Sequence, residues 1–339
     1  MRLLICTQVV DRNDPVLGFF HQWIEGFASR AEHVHVVCLK EGDHAEFKNV
    51  SIHSLGKERG RSRIKYILRF YRHVWSLRND YDAVFVHMNQ EYVLLAGILW
   101  RLLGKKVILW RNHKMGSVLT TLACRLATQV CYTSDASYVA AFANAVRMPV
   151  GIDTQMFAPG TPTPGSVLFL GRLDPVKRPE ILFSAFEMLS DQGISFHADV
   201  YGEATNPESE HARSLVSRTQ PFVERGVLTM HGPVKHDRTP AIYASHAVYV
   251  NLTPSGSFDK TIGEAMASGC IVVLVNEALR GIIPDAHLVQ IDTASVARGI
   301  STALALSPEE IEQLVRTQRT HVETEHSFTS MIERVLALI

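Results

Sequence analysis

No excess charge of either sign marks this chain: its 34 lysines and arginines equal its 34 aspartates and glutamates over 339 residues. A uniformly basic nucleic-acid binder and a strongly acidic, solvating chain are therefore excluded as classes. Cysteine is sparse. Cys6, Cys38, Cys124, Cys131 and Cys270 are odd in number, scattered and without a CxxC pair, which excludes a disulfide scaffold and a zinc ribbon. Long apolar runs are missing as well. The longest, 92–100, stops at Arg101 and is far short of the ~20 residues of a membrane span. Residues 1–7 read as a first strand, without the apolar core of a signal peptide. There is no His-Glu-x-x-His, GxSxG, Walker loop or GxGxxG. Asp80-Tyr81-Asp82 has the Asp-x-Asp form of a metal site but sits directly before a buried-looking strand, so it reads as a loop. A cytoplasmic protein of a reducing compartment, with no metal and no cofactor, is expected.

What is present is ordinary globular material, 46% hydrophobic and 20% charged, with 21 Gly and 14 Pro, which excludes disordered, collagenous and coiled-coil classes. Short β-branched runs alternate with helical spacing. Strands are expected at 3–10, 33–39, 51–55, 83–87, 107–110, 130–133 and 147–150. A second set is expected at 167–170, 196–201, 228–231, 248–252, 271–275 and 288–291. Alternating β and α segments predict parallel sheets covered by helices on both faces. The pattern occurs twice, so the fold class is α/β with two doubly wound, Rossmann-like domains and a cleft between them. The expected boundaries are 1–156, a Pro- and Gly-rich linker at 157–165, 166–324, and a last apolar helix at 325–339 crossing back to the first domain. The neutral total hides a division. Residues 1–156 carry 20 basic and 13 acidic side chains, a net of +7, and the remainder carries the compensating −7. One half is thus suited to an anionic partner.

Two segments carry chemistry. Gly171-Arg172-Leu173-Asp174-Pro175-Val176-Lys177 follows one expected strand and precedes a helix starting near Pro179. Such a turn offers backbone N–H groups and the positive end of a helix dipole, which suits a phosphate. Arg172 and Lys177 add two cations matched to a diphosphate, although the same charges also suit a solvated loop. The second segment runs from Asn251 to Cys270. Gly256, with Ser257 and Phe258, forms a loop that a ligand can approach closely. The amides of Asp259, Lys260 and Thr261 open a helix as a second anion site. Glu264 is placed either to accept two ribose hydroxyls or to serve as an acid near the helix start.

Together these segments resemble the retaining, metal-independent glycosyltransferases of family 4, which have the two-domain GT-B architecture and carry Gly-Arg-Leu-x-x-x-Lys and Glu-Ala-Met-Ala-x-Gly in the second domain. Leu109-Trp110-Arg111-Asn112-His113, Tyr132-Thr133-Ser134, Pro149-Val150-Gly151-Ile152-Asp153 and His231-Gly232-Pro233-Val234 match further landmarks in the same order. The resemblance implies catalytic roles for Arg172 and Lys177 on the donor diphosphate and for His113 near the transferred sugar. It implies that Gly171, Ser257, Phe258, Asp259, Lys260 and Thr261 bind the donor, Glu264 the ribose, Val234 the base, and Gly18 lies in the turn close to donor and acceptor. The implied reaction moves a sugar from a nucleotide diphosphate, a UDP-sugar first and GDP-mannose next, to a glycan or lipid-linked acceptor of cell-surface polysaccharide or glycolipid. One position departs: the family's first glutamate falls on Gly256. Asp259 either substitutes for it or caps the helix. That departure keeps open a weakly active or inactive nucleotide-sugar binder. An epimerase of the same architecture would need a pair of acids facing the sugar, and no clear pair is found.

Residues 57–78 hold eight basic side chains (Lys57, Arg59, Arg61, Arg63, Lys65, Arg69, Arg72, Arg78) against one acid, Glu58. Ile64, Ile67, Leu68, Tyr71 and Trp75 follow helical spacing among them. This amphipathic helix either packs its apolar stripe onto the first sheet with its charges solvated, or lies on an anionic membrane at the inner face of the bilayer. Each cation contributes up to about 1 kcal/mol in the second case. No nucleic-acid motif accompanies the charge.

Overall fold

The computed structural model describes residues 1–14, 16–60, 62–254 and 259–339, and the chain divides into two compact units. Unit 1 comprises residues 1–149 and 329–339, and unit 2 residues 150–328.

In unit 1 the apolar runs become a parallel sheet of β1 (Arg2–Val10), β2 (His33–Glu41), β3 (Val50–Ser54), β4 (Ala83–His87), β5 (Lys106–Trp110), β6 (Gln129–Tyr132) and β7 (Ala145–Arg147). The strand order is β3-β2-β1-β4-β5-β6-β7, which reverses direction between β1 and β4. Leu3 to Cys6 and Ala83 to His87 are buried without alternation, as expected of central strands covered on both faces. Helices α1 (Phe20–Ala28), α2 (Arg63–Ser76), α3 (Glu91–Leu102) and α4 (Val118–Leu126) connect them. The expected strand at 147–150 is displaced to Ala145–Arg147, because Pro149 has no N–H with which to extend the ladder.

Unit 2 carries β8 (Thr163–Leu170), β9 (His197–Tyr201), β10 (Leu228–Gly232), β11 (His246–Asn251) and β12 (Ile271–Leu274) in the order β10-β9-β8-β11-β12. The reversal falls between β8 and β11. The helices are α5 (Pro179–Asp191), α6 (Glu210–Glu224), α7 (Thr239–Ala244), α8 (Lys260–Ala267), α9 (Thr293–Leu304) and α10 (Pro308–Glu325); α11 (Phe328–Leu336) follows, clustering with unit 1 from Thr329 on. Residues 288–291 are not a strand, contrary to expectation. Leu288 makes a single bridge to Leu274, and Asp292 then caps α9 by accepting from the Ser295 amide at 2.8 Å, which ends the extended run. Phe157, in the expected linker, is wholly buried in the core of unit 2 with Tyr243, Ile262 and Met266. Arg319 of α10 holds that segment by donating to the carbonyls of Thr154 and Phe157, and α8 through the carbonyl of Ala267.

Helix α2 differs from the simple picture of an apolar stripe lying on the sheet. Its buried residues are Phe70 and Val74, whereas Ile64, Leu68 and Trp75 are 72%, 65% and 54% exposed. The stripe of Ile64, Ile67, Leu68, Tyr71 and Trp75 therefore does not form the packed face. All five cysteines are buried and free. Burial pushes the Cys6 and Cys270 thiols up, which keeps them unreactive.

Four imidazoles lie in a row across β2, β3 and α2. His33 and His35 are 4.5 Å apart between ring centroids, His35 and His53 5.6 Å, and His53 and His73 5.0 Å. Burial first, then the charges of His73, His35 and His33, push His53 down to about 4. A histidine depressed in the folded state favours its neutral form there. Its stabilising contribution is complete above the unfolded value near 6.5 and is lost as pH falls through about 4. The urea midpoint is accordingly expected to fall between pH 6.5 and pH 4, and His53→Asn to flatten that dependence. An equally steep dependence in the variant would show that this row is not its source.

Candidate active site

The carboxyl ends of β8 and β11 flank the strand-order reversal of unit 2, where doubly wound sheets bind their ligands. Gly171 leaves β8 with φ +155°, its amide donating to the Tyr201 carbonyl at 3.0 Å. Gly202, at φ +134° after β9, passes so close that a Cβ there would lie 1.9 Å from the Gly171 carbonyl oxygen. The Gly202 amide donates to Gly232 at 2.7 Å, so the loops after β8, β9 and β10 are joined in sequence.

Within the first loop, Asp174 organises Arg172. The guanidinium lies 3.0 Å from Asp174 Oδ2 and donates to Thr205 Oγ1 at 3.3 Å. Thr205 in turn donates to Asp174 through its amide (2.8 Å) and its hydroxyl (2.7 Å). Burial opposes ionisation of Asp174, but these hydrogen bonds and the Arg172 charge outweigh it and hold the carboxyl below its ordinary value. The Arg172 side chain stays 55% exposed. Leu173 is buried, its amide donating to the Glu203 carbonyl at 3.0 Å, so neighbouring side chains point alternately into core and solvent. Pro175–Lys177 makes one tight turn, and Arg178 at φ +56° leads into α5.

Lys177 reaches across to the second segment and pairs with Asp259, which caps α8 by accepting from the Thr261 amide at 3.4 Å. Asp259 Oδ2 also accepts from Asn251 Nδ2 (3.0 Å) and from the Thr253 hydroxyl (3.3 Å). Burial works to raise this carboxyl. The Lys177 ammonium and the donated hydrogen bonds outweigh it and hold Asp259 at about 2. Of the two roles open to Asp259 in the sequence, the helix cap is the one these hydrogen bonds form. An ammonium has three donors, so Lys177 can keep Asp259 and still contact a phosphate.

Glu264 is buried one turn into α8. Its Oε1 lies 3.2 Å from His236 Nε2 and 3.9 Å from Lys260 Nζ, and its Oε2 accepts from the Tyr243 hydroxyl at 3.4 Å. Burial lowers Lys260 from the usual ammonium range, against the opposing charges of Glu264 and Asp153. Thr261 Oγ1 accepts from the Tyr249 hydroxyl at 2.7 Å. Val234 is half-buried in the loop that links β10 to the turn bearing His236.

Unit 1 contributes Gly18 and His113. A Cβ at Gly18 would lie 2.7 Å from the Asp14 carbonyl oxygen and 3.0 Å from that of Arg12, so the turn after β1 closes only over glycine. His113, after β5, is exposed, with Nδ1 3.0 Å from both the amide nitrogen and the carbonyl oxygen of Met115. Ser257 and Phe258, and with them Gly256, lie outside the described residues. Sequence reasoning missed Asn251, Thr205, His236 and Tyr243. They lie on separate strands, loops and helices and meet their partners only in the fold. Among the described residues no group of three His, Cys, Asp or Glu side chains could hold a metal ion. Asp82 accepts from the Arg2 amide and guanidinium, which accounts for the Asp-x-Asp segment as a structural loop.

Solved structures of the same fold set the class. Anabaena HepE in complex with UDP aligns with a TM-score of 0.77 over 99% of both chains at 15% identity. Sucrose-phosphate synthase from Thermosynechococcus elongatus gives 0.75 over 99% of this chain and 98% of its own, at 17% identity. The lipopolysaccharide outer core galactosyltransferase WaaB gives 0.69 over 100% of both chains at 13% identity. The architecture is GT-B. The family model of glycosyl transferases group 1 matches residues 164–306, and that of glycosyl transferase 4-like proteins matches residues 15–123. The chain belongs to these group 1, 4-like glycosyltransferases and is a transferase enzyme. Among curated protein sequences none matches it.

Removing the Asp259 carboxylate deletes a helix cap, which costs about 1 kcal/mol, and strips Lys177 of its acid. A carboxyl depressed in the folded state contributes stability that is present above the unfolded value near 3.8 and lost as pH falls through about 2. Asp259→Ala should therefore be less stable than the parent to urea at pH 7 by at least about 1 kcal/mol. Equal midpoints at pH 7 would show that the pair does not hold the two segments together.

Proposed function

We propose that this enzyme transfers a sugar with retention at its anomeric carbon, from a nucleoside diphosphate donor to a hydroxyl acceptor and without a metal ion. The supporting observation is the pair of cations, Arg172 and Lys177, on one loop at the reversal point of unit 2. Each is aligned by an acid, with Glu264 on the neighbouring helix. In the reaction the bond between the anomeric carbon and the diphosphate oxygen breaks, and a bond to the acceptor oxygen forms on the same face. The acceptor proton passes to the departing phosphate oxygen. Negative charge grows on the diphosphate, and preorganised cations meet it without reorganisation at the moment of reaction. Glu264 is assigned to the ribose hydroxyls, Val234 to the base through its backbone, and His113 to the transferred sugar. The donor is read as a UDP-sugar, with GDP-mannose next. That HepE is known in complex with UDP and with UDP-glucose supports this choice.

The acceptor is read as a glycan or lipid-linked sugar of cell-surface polysaccharide or glycolipid. WaaB is a lipopolysaccharide outer core galactosyltransferase, in keeping with that class. No helix among the described residues is long and apolar enough to cross a membrane. A peripheral position at the inner face of the bilayer is supported by α2, which exposes Ile64, Leu68 and Trp75 between its basic side chains. Exposed apolar side chains flanked by cations suit the boundary between headgroups and acyl chains.

Lys177→Ala and Arg172→Ala should each lower turnover of a UDP-sugar about 10²–10³-fold with far-ultraviolet circular dichroism unchanged. Near-normal turnover in both would remove the diphosphate assignment. In vesicle flotation the protein should rise with anionic phosphatidylglycerol vesicles and not with neutral phosphatidylcholine, and a double change of Ile64 and Leu68 to Asp should abolish this. Equal binding to both vesicle types, or to neither, would overturn the membrane reading.

A further inference from the structure

We propose that unit 1 holds the apolar chain of a lipid phosphate in a cavity beneath α2, with the phosphate paired to Arg63. This rests on the reading of the enzyme as a glycosyltransferase with a lipid-linked acceptor, and it names where the lipid part of that acceptor is held. The cavity measures about 380 Å³, within the range of about 300–1,000 Å³ typical of small-molecule sites. Leu39 of β2, Leu55 after β3, Ile67 and Phe70 of α2, and Tyr92 and Leu95 of α3 line it. Arg63, Asn89 and Glu91 bring charged and amide groups to the same lining. A wall this apolar, with a few polar groups, fits a hydrocarbon chain attached to a polar head better than it fits a free sugar.

Its position in the sheet points the same way. The lining residues follow or end β2, β3 and β4, so the cavity opens at the carboxyl ends of the unit 1 strands, on the side of the sheet end that carries Gly18 and His113. Its walls are fixed. Arg69 donates to the Leu55 carbonyl at 2.7 Å, and the Tyr71 hydroxyl donates to the Leu95 carbonyl at 2.7 Å, tying α2 to both neighbours.

Charge selects the headgroup. The stretch 57–78 has eight basic residues and one acid, and Glu58 already accepts from the Ser54 hydroxyl at 2.9 Å. Glu91 is a carboxylate of the lining on α3, so an anionic headgroup is directed to the α2 side, where Arg63 stands. Helix α2 therefore has two adjacent apolar stripes. Ile67 and Phe70 face the cavity, and Ile64, Leu68 and Trp75 face outward. A chain leaving a bilayer that contacts the outer stripe meets the cavity directly beneath the same helix.

The test uses the full chain and three probes, farnesyl phosphate, farnesol and inorganic phosphate, read by isothermal titration. Farnesyl phosphate is expected to bind at least tenfold tighter than either of the others. Ile67→Glu, a change at a position 40% exposed, should weaken farnesyl phosphate at least tenfold. Arg63→Ala, also at an exposed position, should weaken farnesyl phosphate but not farnesol. Thermal stabilisation by UDP should be the same in both variants as in the parent. Farnesyl phosphate bound no tighter than inorganic phosphate, or bound equally by parent and Ile67→Glu, would overturn the proposal. Stabilisation by UDP without lipid binding overturns the cavity assignment and leaves the donor reading standing. Lipid binding without stabilisation by UDP supports the cavity and counts against the donor reading instead.

Discussion

The contact between Lys177 and Asp259 joins the two segments of unit 2 to which the proposed function assigns its chemistry. One lies after β8 and the other opens α8, 82 residues later in the chain. The carboxylate partner has other obligations. Asp259 also caps its helix and accepts from Asn251 and Thr253, so the ammonium is set against a carboxylate whose orientation is already fixed. A flexible lysine normally loses much side-chain entropy when it is immobilised. Here that loss is taken in folding, so that under the proposed function it precedes donor binding, which is the condition for electrostatic preorganisation. Arg172 is treated the same way, with Asp174 and Thr205 as its frame. On the proposed reading, the two cations of this loop, each held by an acid, face an incoming diphosphate without having to search for their positions.

Unit 1 solves a different problem with its long second helix. Most helices of a doubly wound domain spend their apolar residues on the sheet. In α2 that need is met by Phe70 and Val74, and the remaining large side chains are divided between the cavity and the outside. Trp75 is covered in part by its own neighbour, with the Arg78 guanidinium 4.6 Å from the ring centre. The net positive charge of the first half is concentrated on this helix and its approach, not spread over the surface of the unit.

Much of the architecture was legible in the residues because parallel strands buried on both faces read as uninterrupted apolar runs, as at Leu3–Cys6 and Ala83–His87. Local turn chemistry decided the failures. Pro149 cut one ladder short, and at 288–291 an apolar run of strand composition was stopped by the cap of the next helix. The loop positions Arg172, Lys177 and Glu264 could be singled out from sequence because each stands at a strand end or a helix start. Thr205, His236 and Tyr243, which meet Arg172 and Glu264, and Asn251, which meets Asp259, could not, since nothing local marks a hydroxyl, amide or imidazole for a carboxylate met in the fold. The double character of α2 was half visible: its period and charge were in the sequence, but which apolar residues would be covered was decided by the neighbouring helix α3.

The crossing of Gly202 over Gly171 leaves no room for even a methyl group between two adjacent strand ends. Three further contacts, from Thr205 to Asp174, Arg172 to Thr205 and Leu173 to Glu203, bind the same two loops. The segment after β9 is thus a chassis for its neighbour. Grafting the arginine-bearing turn into another member of this fold would transplant half a part, and the turn and its chassis have to be exchanged as one cassette.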